Sequence, residues 1–387
     1  MGRKVGIEVS IAAAEAVGLC DVDVVAAYPI TPQTHVVEHL SELVTEGKLD
    51  AEFVPVESEH SAMSVCCGAA AAGARTFTAT AAQGLALMAE IVFIASSMRL
   101  PIVMFLANRA LSAPLSIWND HSDTMMVRDC GWIQVFCENG QEVYDSIFHA
   151  YRVAEDPSVS LPVMINVDGF CLTHVIEPIE MWTPEMVKQY LPRFKPIHTL
   201  HPDKVVSFGA FAMPEIYSEQ RMAHDHAVAA SAPVIMKAWD EMASLTGRSY
   251  SPIELYRTDG ADTLIVAMGS ICEAASLGVD LMRDQGKKVG LVKIRLWRPL
   301  PTQQLQDILS TAKEILVLDR AISPGAASAP FTSEIRALMY HQPNRPNIRC
   351  MIAGLGGRDV TAQDIVNMVE SAQAEQLTGY RIYGVRG

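Results

Sequence analysis

Short apolar runs alternate with helically spaced segments twice along this chain, and that alternation narrows the fold more than any other feature. In the first stretch, residues 7–17 form an Ala-rich helical segment, 23–27 read as a strand, 35–43 as a helix, 51–56 as a strand and 57–73 as a small-residue helix. A strand over 75–79, the loop AAQG at 81–84, a helix over 85–97 and an uninterrupted apolar run over 101–107 follow. Such an unbroken run marks a strand buried on both faces, as parallel sheets require. A helix over 141–154 and a last strand over 161–167 complete a doubly wound parallel α/β sheet. Over residues 168–255 the alternation lapses into a connecting arm with one long helix expected over 215–246. It resumes at Asp262, where TLIVAMG, KVGLVKIR, EILVLDR and NIRCMIAG supply four strands of a second, smaller α/β domain. The expected division is 1–240 and 256–387, in line with two or three domains for 387 residues at about 150 each.

Composition removes several function classes. Half of the residues are apolar and 19% are charged, which describes a globular chain able to bury sizeable cores. Against 44 Asp and Glu stand 30 Lys and Arg, a net charge of −14 with no basic run, so neither nucleic acid nor an anionic membrane is an expected partner. No apolar stretch reaches the ~18 residues of a membrane span. The opening MGRKVGIEVSIAAAEAVGLC imitates a signal peptide, but Glu8 and Glu15 interrupt it. A mean hydropathy of +0.18 without a span points to large subunit interfaces. The eight cysteines form no C-x-x-C pair, so the chain is expected to hold no metal cluster and to reside in a reducing cytoplasm.

In open α/β sheets, chemistry collects at the carboxyl ends of the strands. Four loops qualify: 28–34, 57–60, 82–84 and 108–123. Thr31 lies between Pro29 and Pro32, and by spacing alone it is first a capped turn and second a ligand hydroxyl. Glu57 and Glu59 flank Ser58. Glu57 or Ser58 suits a helix cap, which leaves Glu59 as the better candidate for acid–base work. Arg109 ends a buried strand, so its charge needs either a structural acid such as Asp120 or Asp123 or an anionic ligand gripped by its planar fork. The loop SIWNDHSD has the aromatic and polar character of a substrate wall or an interface, with His121 read as a loop histidine before a base. Gly354–Asp359 lacks the spacing of a dinucleotide fingerprint and reads as a tight turn.

Taken together, AYPITPQT, ESEHSA, the Ala82-Gln83-Gly84-Leu85 loop and NRALSAPLSIWNDHSD resemble the alpha subunit of 2-oxoacid:ferredoxin (acceptor) oxidoreductases of the pyruvate, 2-ketoisovalerate and phenylglyoxylate type. RLWRPLP (295–301), VLDR (317–320) and GLGGRDVT (354–361) extend the resemblance through the second domain. It implies a pyrimidine-binding domain of a thiamine diphosphate enzyme followed by a transketolase C-terminal-like domain. The implied reaction is oxidative decarboxylation of a 2-oxoacid to an acyl-coenzyme A and CO2 in anaerobic metabolism, of the pyruvate synthase kind. By the same resemblance Glu59 bonds the aminopyrimidine ring, with Tyr28, Pro29, Ile30, Gln83 and Gly84 beside it. Thr31 and Arg109 face the substrate carbonyl and carboxylate, joined by Asn119, Asp120 and His121. The chain departs from the family where Ala82 and Gln33 replace frequent serines.

Thiamine enzymes hold the diphosphate and Mg²⁺ with a Gly-Asp-Gly segment and a later Asn. That segment does not occur here; Asp168-Gly169 and Asp259-Gly260 both lack the preceding glycine. The diphosphate and Mg²⁺ are therefore expected on a beta subunit. The 4Fe-4S clusters are expected on partner chains, with gamma and ferredoxin-like delta subunits completing the complex. The alternative is an interaction subunit that keeps the fold without the chemistry. A self-contained thiamine transferase fails on the missing segment, and a nicotinamide dehydrogenase on the missing fingerprint.

Overall fold

A computed structural model describes residues 2–374 and 379–386. In chain order its strands are β1 (Lys4–Glu8), β2 (Val24–Ala27), β3 (Glu52–Pro55), β4 (Thr76–Thr80), β5 (Ile102–Asn108), β6 (Ile133–Phe136), β7 (Val163–Asp168), β8 (Ile176–Glu180), β9 (Ile253–Tyr256), β10 (Thr263–Ala267), β11 (Val289–Ile294), β12 (Leu296–Arg298), β13 (Glu314–Asp319), β14 (Asn347–Ile352) and β15 (Tyr380–Ile382). They build a seven-stranded sheet in the order β12-β6-β7-β5-β4-β2-β3, a six-stranded sheet β15-β14-β13-β10-β11-β9, and the antiparallel pair β1-β8.

Strands β2 to β7 of the large sheet run parallel, with helices on both faces. Alternate residues of β5 show why its sequence is apolar throughout. Val103, Phe105 and Ala107 enter one core, while Ile102, Met104 and Leu106 enter the other. The chain passes from β2 to β3 on one side, then returns to place β4 on the other side of β2. The resulting crevice between β2 and β4 is a topological switch point, where sheets of this kind bind ligands. In the smaller sheet the same reversal falls between β10 and β13.

Two expectations give way. The helix expected over 215–246 is two helices, Pro214–Ala230 and Ala232–Thr246, because Pro233 lacks an N–H and starts a new helix after Ser231. The helix expected from residue 85 already begins at Ala82, so Gln83 and Gly84 occupy its first turn. The short strand β12, from the second half of the chain, pairs antiparallel with β6 and closes the edge of the first sheet. Among the described residues no helix is long and apolar enough to cross a membrane.

Candidate active site

Four loops meet at the carboxyl ends of the adjacent strands β3, β2, β4 and β5. After β3, Ser58 caps the helix Glu59–Ala72 by accepting the Ser61 N–H at 3.2 Å, and Glu57 accepts the Ser61 hydroxyl at 2.6 Å. With the cap supplied, Glu59 is free to point elsewhere. It is only 6% exposed, yet among the described residues its carboxylate has no hydrogen-bond or ion-pair partner. A buried carboxylate left in that state is costly, so it marks a place where a ligand completes the structure.

Gly84 faces it from the turn after β4. A Cβ there would come within 2.4 Å of Thr80 Oγ1, 2.6 Å of Glu59 Oε1 and 2.8 Å of Glu59 Cγ. Only a glycine lets the turn and the glutamate share this volume. The Thr80 hydroxyl and the Gln83 side-chain carbonyl are also buried without partners among the described residues. The cradle thus offers a carboxylate, a hydroxyl and an amide oxygen, none of them satisfied.

Arg109, at the end of β5, is buried and bound by oxygen atoms of the backbone. Its Nη1 donates to the Thr31 carbonyl at 2.9 Å and its Nε to the Ser116 carbonyl at 3.0 Å. Neither Asp120 nor Asp123 pairs with the guanidinium. Asp120 accepts from Ser122 and from the Gly356 N–H, and Asp123 takes the backbone N–H of Arg109 instead. Among the described residues the guanidinium therefore has no carboxylate partner. Thr31 is exposed beside it, and Tyr28 and Pro29 are exposed with Ile30 half-buried. Gln33 is fully buried and ties this loop down through a 2.8 Å bond from Nε2 to the Tyr28 carbonyl.

Asn119, Asp120 and His121 face the second domain. Asn119 Oδ1 accepts from Arg320, and His121 Nε2 lies 2.8 Å from Asp168 Oδ1. The turn Leu355–Gly357 docks here through the Gly357 N–H, 2.6 Å from the Asn119 carbonyl. Gly357 has φ +75°, and a Cβ would strike Trp118 at 2.4 Å, so the glycine run serves a tight turn and a close approach. Sequence reasoning weighed Asp123 only as a counter-charge for the Arg109 side chain, and its central position went unread. Asp123 is fully buried, and its oxygens accept the Ala82 N–H at 3.1 Å and the Arg109 N–H at 2.9 Å. No spacing signal announces contacts between loops so far apart.

A doubly wound sheet with an unsatisfied carboxylate at its switch point and an arginine without a carboxylate partner beside it defines an α/β protein that takes its ligand at the carboxyl ends of the strands. Comparison with known proteins makes this specific. The family described as "Pyruvate flavodoxin/ferredoxin oxidoreductase, thiamine diP-bdg" matches residues 15–240, and "Pyruvate:ferredoxin oxidoreductase core domain II" matches 261–365. The chain is 49% identical to pyruvate synthase subunit PorA of Methanocaldococcus jannaschii, over 94% of each chain. It is 44% identical to ketoisovalerate oxidoreductase subunit VorA of Pyrococcus horikoshii, over 90% of this chain and 88% of that one. Its fold superposes on 2-oxoglutarate:ferredoxin oxidoreductase from Magnetococcus marinus with TM-score 0.68 at 20% identity, covering 95% of this chain and 65% of that chain. The chain belongs to the pyruvate flavodoxin/ferredoxin oxidoreductase family, and its first domain is the family's thiamine-diphosphate-binding domain.

The residues present fit the pyrimidine half of that cofactor. An aminopyrimidine carries an amine donor and ring-nitrogen acceptors on a flat edge. Glu59, the Thr80 hydroxyl and the Gln83 carbonyl are the unsatisfied partners such an edge requires.

Proposed function

We propose that the chain is the alpha subunit of a multi-subunit 2-oxoacid oxidoreductase that converts a 2-oxoacid to an acyl-coenzyme A and CO2. The observation that carries this reading is the unpartnered, buried Glu59 carboxylate lodged against Gly84. Bound thiamine diphosphate supplies the electron sink for decarboxylation. Glu59 holds a proton at the pyrimidine edge, with Tyr28, Pro29, Ile30, Gln83 and Gly84 shaping its surroundings. Arg109 binds the substrate carboxylate and Thr31 donates to the keto oxygen. The relatives named for pyruvate and ketoisovalerate favour a small or branched 2-oxoacid. Asn119, Asp120 and His121 contribute by fixing the Arg109 loop against the second domain, which supports the substrate side indirectly.

The half-site requires other chains. A beta subunit brings the diphosphate and Mg²⁺ site, and gamma and ferredoxin-like delta subunits carry the 4Fe-4S clusters that take the electrons. We place the complex in the cytoplasm, where scattered free thiols are stable. The test is anaerobic purification of the complex through this chain. Thiamine, iron and dye reduction are then measured with a panel of 2-oxoacids plus coenzyme A. The expected result is a brown, thiamine-containing complex whose turnover disappears in Glu59→Gln while iron content and assembly persist. Full turnover in that variant would instead make the chain an interaction subunit.

A further inference from the structure

Asp123 stands at the centre of the site without touching its ligand-facing groups. It sits in the short helix Ser122–Met126, and both of its oxygens are fully committed to N–H donors. Oδ2 accepts from the Ala82 and Arg109 backbones at 3.1 and 2.9 Å. Oδ1 accepts from Asn108 Nδ2 at 3.0 Å and from the Thr124 backbone at 2.7 Å. Ala82 opens the turn that carries Gln83 and Gly84. Its φ is +36°, a left-handed value that strains a residue with a Cβ. The preceding Ala81 has no side chain with which to cap the helix. Asp123 supplies that cap from a distant loop, and the same oxygen fixes the backbone of Arg109.

We propose that Asp123 is a positioning residue that holds the substrate-side Arg109 and the cofactor-side Gln83–Gly84 turn in one fixed relation. The inference rests on the reading of Glu59 and Arg109 given above. Four N–H donors surround the carboxyl, so a proton on it would face a donor wherever it sat. The charged groups turned toward it are the Arg109 guanidinium, which favours the carboxylate, and Asp120, which opposes it. Burial opposes it more and pushes its pKa up to about 6, so the carboxylate is the form present at pH 7.5.

The test is Asp123→Asn in the complete complex, whose amide has one acceptor oxygen for four donors. At pH 7.5 the KM for the 2-oxoacid and the Kd for thiamine diphosphate, measured on the cofactor-stripped complex, are expected to rise together by at least tenfold. Assembly and iron content are unchanged. A second measurement compares the two proteins at pH 7.5. Hydrogen-exchange protection of peptides covering Ala82 and Arg109, corrected for intrinsic rates, is expected to fall in concert from the wild type to Asp123→Asn. Protection that stays constant, or a change at one peptide or one ligand only, would overturn the inference while leaving the function intact. A wild-type complex that bound no thiamine diphosphate would overturn both.

Discussion

Glu59 and Gly84 share a volume that no larger pair can occupy. In Gly84→Ala the new methyl must displace Glu59, since the nearest atoms stand at 2.4–2.8 Å. Helix propensity favours alanine there, so the fold survives while the carboxylate moves. The expected outcome is an unchanged circular dichroism spectrum with kcat/KM lowered by about 10²-fold, the cost typical of a misplaced catalytic group. Wild-type kinetics in that variant would remove the cradle. A different residue-scale effect arises at His149. It is stacked on Trp239 with ring centroids 4.6 Å apart, and its Nε2 lies 3.2 Å from the Ile235 carbonyl. Burial pulls its pKa down to about 4, against the opposing pull of that carbonyl. As pH falls below about 6.5 the unfolded chain takes up the proton first, so stability drops until pH nears 4, by about 3 kcal/mol in all. His149→Gln should flatten this part of the pH profile in urea unfolding, and an identical slope in both proteins would exclude the histidine. Residues such as Glu59 were legible because a motif carries them. Asp123 and His149 were not, because their roles are made by chain segments distant in sequence.

The helices that begin with Glu59 and with Ala82 lie side by side and leave one face open. Leu87, Phe93 and Ile94 are exposed on the second, and Ser64, Gly68 and Ala72 on the first, where a Cβ at Gly68 would meet nothing within 4 Å. The small residues of the first helix permit close packing on both sides. Its inner side packs within the chain through Met63, Cys66 and Ala70, while the outer stripe is exposed. Both helices begin at the candidate site, so under the proposed function the expected occupant is the beta subunit. Burying what remains exposed of Leu87 and Phe93, about half of each, contributes roughly 1.5–3 kcal/mol. The double substitution Leu87→Asp and Phe93→Asp should therefore release the beta subunit in size-exclusion chromatography while the alpha chain stays folded. An intact complex would assign the face to something else. Elements with long periodic patterns were readable from sequence. The three-residue β12 and the break between Pro214–Ala230 and Ala232–Thr246 were not, because three residues carry no period and a helical pattern runs on across a proline.

At the scale of the whole molecule, the two sheets are joined by filling one switch point with the other domain. The crevice between β10 and β13, where an α/β sheet would take a ligand, holds Asp168 from the end of β7. Its Oδ2 accepts from the Ser270 N–H at 2.8 Å and from Arg320 Nη1 at 2.7 Å, while His121 closes on Oδ1. Burial alone would raise the Asp168 pKa, but Arg320 and His121 outweigh it and hold the carboxyl well below its ordinary range. A second ionic contact, Arg295 with Glu142 and Glu254 and Lys293 with Glu138, joins the domains on another side. The second domain's crevice is thus occupied by structure, while the first domain's crevice keeps unsatisfied groups among the described residues. Neither fact was legible in the sequence, where Asp168-Gly169 drew notice only as an incomplete diphosphate motif. In Asp168→Asn the Arg320 guanidinium loses its buried counter-charge, a loss on the order of 3–5 kcal/mol. Because the wild-type carboxyl stays ionised far into acid, its contribution is present above about pH 4 and is lost only below that value. Urea unfolding at pH 7 should show the variant destabilised by that amount, with its transition splitting as the domains part. At pH 3 the gap between the two proteins should narrow. A variant as stable as the wild type at pH 7 would mean that the ion pair between the domains is compensated by its own desolvation, and that packing of β12 against β6 joins them instead.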